Sequence, residues 1–265
     1  QALKYSCSLL FLLISLFSWS QDVDSIIKGL PGIKSDTARL SSLHFLSENA
    51  PDDVWPKYNR QMGALAQGLL NSKDVPVLKK AKYHFAAYLA NMGYRQEFIG
   101  GTDSALQYYF KSLAIREEIG DKFGISNCYN NIGLAYHHKG DFSKALDYYH
   151  KALNIQEAIH DDRGSGYSLS NIGYLFYNQG EHDKAIEYFR KSLILRTRIN
   201  DLHGLAFSLL NLGYTYAEKG KTDSALLYFH KSLDIRQKIG DLTGVSYALN
   251  QIATQKQKMG DMKGA

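Results

Sequence analysis

"NNIGLAYHHKGDFSKALDYYHKAL" occupies Asn130–Leu153, and the stretch recurs forty residues on. Asn171–Leu193 reads "NIGYLFYNQGEHDKAIEYFRKSL", and Asn211–Leu233 reads "NLGYTYAEKGKTDSALLYFHKSL". A half-match, "GTDSALQYYFKSL", precedes them at Gly101–Leu113, and a decaying copy, "NQIATQKQKMGDMKGA", follows at Asn250–Ala265. Three series keep the period together. They are Gly133, Gly173 and Gly213 with Ala253 in their place later; Gly100, Gly140, Gly180, Gly220 and Gly260; and Ala105, Ala145, Ala185 and Ala225. Several residue types sharing one period define a repeat array, which overrides the one or two globular domains that 265 residues alone suggest.

Each forty-residue unit reads as two helices. Tyr129, Ile132, Gly133 and Tyr136 recur three and four apart, on one face of a helix. Gly140 suits a left-handed end, and Asp141 or Ser143 suits the next N-cap. The second helix carries Phe142, Ala145, Leu146, Tyr149, Leu153 and Ile155. Small Gly133 and Ala145 let the helices approach, and Tyr136 and Tyr149 fill the space beside them. Units are joined at Ile119, Ile159, Ile199 and Ile239 by "IGDKFG", "IHDDRG", "INDLHG" and "IGDLTG". The second slot holds Gly, His, Asn and Gly, residues that tolerate a left-handed conformation, and an aspartate follows as helix starter. No proline follows Pro76 to interrupt these helices.

The pattern predicts an all-α, right-handed superhelical solenoid of antiparallel helix pairs, its concave face lined by first helices. Four organisational segments are expected: residues 1–20, a signal peptide; 21–34, a poorly ordered lead-in; 35–100, an irregular helical region, with about four helices between Ser35 and Ile119; and 101–265, the regular array, cut short at its C-terminus. Beginning at Gln1 and ending where another helix is due, the sequence reads as part of a longer protein.

At Gly133, Tyr136, Gly140, Ala145, Tyr149 and Ala152 the chain resembles the tetratricopeptide repeat family. Gly173, Phe176, Gly180, Ala185, Phe189 and Ser192 match the same pattern, as do Gly213, Tyr216, Gly220, Ala225, Phe229 and Ser232. The usual period is about 34 residues; here it is longer, as in the repeats of signalling adaptors and kinesin light chains. The resemblance implies a scaffold that binds a protein or peptide segment. The order of signal, irregular helices and repeats is also similar to the exported sensor region of bacterial membrane-bound histidine kinases. That likeness implies a periplasmic module, tethered to the inner membrane by a segment further downstream. A free-standing exported adaptor, or the regulatory region of a transcriptional regulator, are the alternatives.

Composition is that of a soluble chain, 45% hydrophobic and 22% charged, with 19 tyrosines. A net charge of +5, interspersed with acids, argues against nucleic acid as a partner. Lys4 is followed by an apolar run from Leu9 to Phe17 and by Ser18-Trp19-Ser20, the layout of a secretory signal cut after Ser20. The run is shorter than the roughly 20 residues of a transmembrane helix, and a short uncleaved anchor is the competing reading. After a cut only Cys128 remains, so no internal disulfide is expected.

Helix geometry picks out a candidate groove. Positions −6, −2, +1 and +5 from the repeat glycine fall opposite the core stripe. They are Asn127, Asn131, Leu134 and His138; Tyr167, Asn171, Tyr174 and Asn178; and Phe207, Asn211, Tyr214 and Glu218. A plain solvent face is charged, yet only Glu218 of these is. Asn131, Asn171 and Asn211 share a register with Asn91 before and Gln251 after. Primary amides both donate and accept, which suits the backbone of an extended peptide. The same asparagines could instead bond neighbouring repeats. Candidate groove residues are therefore Asn91, Asn131, Asn171, Asn211, Gln251, Tyr167, Tyr174, Tyr214, Asn178 and His138. The face lacks the lysines and arginines of a clamp for carboxylate tails.

No nucleophile elbow, phosphate loop or pair of catalytic carboxylates appears, so no enzyme activity, cofactor or metal is expected. His137-His138 lacks a partner at zinc-ligand spacing. His150 and His230 are equivalent repeat positions, and Cys128 reads as a buried thiol. The Ser18-Trp19-Ser20 site predicts that protein recovered from the cell envelope begins at Gln21. Intact mass checks this, and a retained Lys4 segment would refute it.

Overall fold

The computed structural model describes residues 23–263. Among them the elements are all helical. They are α1 (residues 23–29) running into a 3-10 turn at Leu30–Gly32, α2 (Asp36–Asn49), α3 (Trp55–Gly68), α4 (Val75–Phe98), α5 (Thr102–Ile119), α6 (Lys122–His138), α7 (Phe142–Ala158), α8 (Asp162–Asn178), α9 (His182–Arg198), α10 (Leu202–Glu218), α11 (Thr222–Ile239) and α12 (Leu242–Lys263). The all-α array of helix pairs expected from the repeats is thus observed, with four helices, α2–α5, between Ser35 and Ile119 as the pattern predicts. The signal-peptide segment lies outside the described residues. The chain divides into two compact units, one through Cys128 and one from Tyr129 on. The divide falls inside α6, not at residue 100, where the repeats become regular.

A helix stands where the sequence reading has a poorly ordered lead-in. Val23, Ile26, Ile27 and Leu30 are three and four apart, and all four join the first unit's core with Leu40, Leu43, Leu46 and Met62. Gly260 also differs from its series. α12 continues through it to Lys263.

Within a pair, an aromatic ring of the second helix lies on a glycine of the first. A Cβ added at Gly133 would come within 2.7 Å of the Tyr149 ring, and one at Gly173 within 2.8 Å of Phe189. Gly213 meets Phe229 the same way, and in the first unit Gly93 meets Tyr109. Gly173 therefore faces the Phe189 ring rather than Ala185, the smaller partner the sequence pattern suggests. All four rings are fully buried. Burying each contributes about 1.5–3 kcal/mol relative to leaving it exposed.

Between pairs, the turn residues behave as their chemistry dictates. His160 and Asn200 take φ of 56° and 53°, beside Gly120 at 70° and Gly240 at 74°. The aspartate that follows caps the next helix: Asp161, Asp201 and Asp241 accept from the amides of Gly164, Gly204 and Gly244 at 2.9, 3.2 and 2.8 Å. A buried polar relay ties three consecutive helices. Ser192 on α9 donates to the Gly166 carbonyl of α8 (2.7 Å), and Arg196 Nε donates back to Ser192 Oγ (3.0 Å). Arg196 also pairs with Asp201, the cap of α10. Ser232, Arg236 and Asp241 repeat the relay on α10–α12. In the first unit Ser112 donates to the Ala86 carbonyl and Arg116 pairs with Asp121, but the Arg116 Nε bond back to the serine is missing. Where the repeat carries Ala152 and Gln156, Gln156 Oε1 instead lies 2.6 Å from Ser168 Oγ. Buried charges of this kind are tolerated because each is paired and hydrogen-bonded.

Two outcomes follow from this packing. Gly173→Leu drives bulk into the Phe189 ring and costs about 1–3 kcal/mol; an unchanged thermal midpoint would remove Gly173 from the interface. The second concerns His84 on α4, buried against His44 (ring centroids 5.1 Å) and Tyr83 (5.2 Å). Burial, then the charges of His44, Lys80 and Arg116, lower its pKa to about 4 from 6.5, with Glu48 opposing. The unfolded chain takes the proton first, so stability contributed by neutral His84 is complete above pH 6.5 and is lost as pH falls towards 4. Thermal midpoints across that window fall less steeply in His84→Gln than in the native chain. Parallel curves would refute the assignment.

Candidate functional site

The uncharged stripe on the first helices of the second unit is exposed only in part: Asn211 is buried and Tyr214 is partly buried against the unit's core. Tyr167, Tyr174 and Phe207 are 46–47% exposed although large and aromatic. Between α8, α10 and the start of α12 lies a cleft of about 640 Å³, within the usual size of ligand pockets. Its walls carry Tyr174, Tyr177, Phe207, Tyr214 and Tyr247, and Asn211 faces it from α10. Phe189, the ring that rests on Gly173, also lines the cleft, so one side chain serves both packing and site. Tyr174 and Tyr177 are stacked at 6.1 Å and 14°, and Tyr214 meets Tyr247 at 6.3 Å and 65°.

Of the predicted residues, Tyr174, Tyr214 and Asn211 come together in this cleft. Asn171 precedes Tyr174 by one turn on α8 and is half-buried. The side-chain nitrogens of Asn171 and Asn211 are buried and find no hydrogen-bond partner. Asn131 on α6 and Gln251 on α12 are half-buried in the same repeat register. Tyr167 is half-exposed on α8 but lies outside the cleft lining. Asn178 Nδ2 donates to His137 Nε2 (2.8 Å), and His138 is exposed. Asn91 belongs to the first unit and donates to Asn59 Oδ1 (3.0 Å), the repeat-bonding role. His137 is buried against Phe142 and Tyr174, and burial lowers its pKa. Cys128 is buried with its thiol 3.4 Å from Ser112 Oγ, and burial raises its pKa, the opposite of an activated nucleophile.

The sequence reading misses Tyr177, Tyr247 and the Arg236–Asp241 pair. Tyr247 is the forty-residue successor of Tyr167 and Phe207, in a unit whose key glycine has become Ala253. Tyr177 lies one turn past Gly173, off the strict stripe. Arg236 is signalled only by the recurring spacing of Ser, Arg, Asp and Gly. The Tyr214 hydroxyl is buried, makes no hydrogen bond of good geometry and faces Tyr247; burial, then that neighbour, raises its pKa.

The tetratricopeptide repeat profile matches residues 86–158 and 165–238, more than half of the chain. The chain therefore belongs to the tetratricopeptide repeat family. It is a scaffold of the protein-binding kind, a fold that is typically non-catalytic and whose members bind protein or peptide partners. No curated protein is similar enough in sequence to count as a relative. Among solved structures, aspartyl phosphate phosphatase F from Bacillus subtilis is similar at 18% identity and a TM-score of 0.68, over 95% of this chain and 63% of that one. The signal transduction ATPase with numerous domains and a tetratricopeptide repeat sensor from Pyrococcus horikoshii gives 15% identity and 0.66, over 96% of this chain and 38% of its own. A Rap protein complexed with competence and sporulation factor gives 13% and 0.60, over 95% and 74%. These likenesses are of fold. Among the described residues no helix is long and apolar enough to cross a membrane.

Proposed function

We propose that this chain is the ligand-binding part of an exported signalling protein, and that its second unit captures an extended protein segment in the α8–α10–α12 cleft. The observation that carries the binding reading is the cleft itself: aromatic walls beside an unpartnered buried amide at Asn211. A second such amide, Asn171, lies one turn before Tyr174, outside the cleft lining. A buried donor left unsatisfied costs about 1–3 kcal/mol. A ligand carbonyl received by the Asn211 amide removes that cost, and Asn131, Asn171 and Gln251 continue the same register. Large aromatic side chains supply the contact area that dominates binding surfaces.

Export rests on the Leu9–Phe17 run and the Ser18-Trp19-Ser20 site, and tethering on the likeness to the sensor regions of membrane-bound signalling proteins. The sensor role follows by analogy with the similarly folded ATPase, whose repeats are named a sensor. In a histidine-kinase-like protein the repeats would lie in the periplasm and the output domain beyond the inner membrane.

The amides can be tested directly. With Asn131, Asn171 and Asn211 replaced together by alanine, affinity for the partner segment falls at least tenfold, since each hydrogen bond contributes about 0.5–1.5 kcal/mol and tenfold corresponds to about 1.4 kcal/mol. Stability holds or rises, because two unsatisfied donors are removed and alanine favours helix. Titration calorimetry and thermal unfolding of the same variant check both halves. Normal binding with early melting would assign the asparagines to repeat packing instead.

A further inference from the structure

The cleft also carries a charge preference that bears on what enters it. Four tyrosines and a phenylalanine from three successive first helices surround it: Tyr174 and Tyr177 from α8, Phe207 and Tyr214 from α10, and Tyr247 from α12. Aromatic faces are electron-rich, and rings standing at a wide angle, as Tyr214 and Tyr247 do at 65°, present such faces from different sides.

The wall's only cation is already neutralised. Arg236 is paired with Asp241, and its Nε donates to Ser232 Oγ at 3.2 Å. Asp241 is likewise occupied, accepting from Arg236 and from the Gly244 amide at 2.8 Å. An incoming anion would have to break that pair to find a counter-charge.

A carboxylate without such a partner lies on α10, outside the cleft lining. Glu218 ends α10 one turn beyond Tyr214, is exposed, and has no ion-pair partner among the described residues. It is close enough that its charge, after burial, raises the pKa of the Tyr177 phenol. A chain of net charge +5 thus keeps an aromatic recess with an unpaired carboxylate close to Tyr177.

We infer that the cleft accepts a cationic side chain, lysine or arginine, of the bound segment, held over the faces of Tyr177, Tyr214 and Tyr247 and paired with Glu218. This deepens the peptide-binding reading and rests on it. The alkyl stem of a lysine or arginine would lie along Phe207, and its charge would remain near the mouth, as long basic side chains do on apolar surfaces. Cation–aromatic attraction strengthens where water is excluded, which the cleft favours over a flat surface.

The test uses the 265-residue chain with tyrosine rings isotopically labelled, titrated with three acetylated, amidated alanine pentapeptides. The central residue is lysine, norleucine or glutamate, and ring shifts of Tyr174, Tyr177, Tyr214 and Tyr247 are followed by NMR. The lysine peptide is expected to bind at least tenfold tighter than the norleucine peptide and to lose affinity as salt rises. Glu218→Gln cuts the lysine preference severalfold, and Tyr177→Leu removes most of it; both variants must keep the native thermal midpoint. Equal binding of norleucine and lysine overturns the cation but leaves the peptide cleft standing. Tighter binding of glutamate overturns the cation and points to Arg236. Saturation by none of the three overturns the cation and the peptide cleft together.

Discussion

An aromatic ring resting on a bare glycine backbone is the contact on which the repeat depends. Tyr149 on Gly133, Phe189 on Gly173 and Phe229 on Gly213 bring two helices close enough to bury each ring completely. The small residue cannot move without losing the ring's site, and the ring cannot shrink without opening a cavity. A constant period follows from this pairing, because each glycine and each ring must return to the same face after one full helix pair.

The links between pairs are of a different nature. Two of them place a charged side chain, Arg196 or Arg236, beside a serine and the aspartate that caps the next helix, and the α7–α8 link uses the neutral Gln156 instead. One aspartate thus ends the reach of an arginine and starts a helix. The arrangement also explains the glycines at 204 and 244, where any Cβ would occupy the guanidinium's place. The same relay makes the cleft's charge what it is. Arg236 is part of the cleft wall, yet its charge is consumed by the fold, so the wall presents aromatic faces and the Asn211 amide. Phe189 belongs to both systems, which couples the cleft's shape to the packing beneath it.

Much of this was legible in the sequence because repetition separates structural positions from singular ones. His160 and Asn200 were recognisable as left-handed turn residues only because Gly120 and Gly240 stand at equivalent positions. The groove stripe was legible for a similar reason: Tyr174 and Phe207 sit where charge belongs on an ordinary surface helix, whereas Tyr214, on the same stripe, packs partly into the core. Other features were hidden. Arg236 looks like any exposed basic residue of a helix end, and only its recurrence with Ser232 and Asp241 marks it as internal. Tyr247 was concealed by decay of the glycine series in the last unit. Asn91 shares the register of Asn171, yet it bonds Asn59, because side-chain pairing depends on the neighbouring helix and not on register. The lead-in helix was missed because four apolar residues in so short a segment count for little until the core they join is known.

The most direct measurement is a double-mutant cycle across one ring and its glycine. Alanine at position 173 places a Cβ 2.8 Å from the Phe189 ring, so Gly173→Ala in the native chain lowers stability despite alanine's better helix propensity. In a Phe189→Leu background the ring is gone, and the same Gly173→Ala change becomes neutral or stabilising, by up to about 1 kcal/mol. That reversal of sign, read from denaturant unfolding of the four proteins, is the predicted result. An equal effect of Gly173→Ala in both backgrounds would mean that the ring does not rest on the glycine, and the packing described here would be wrong.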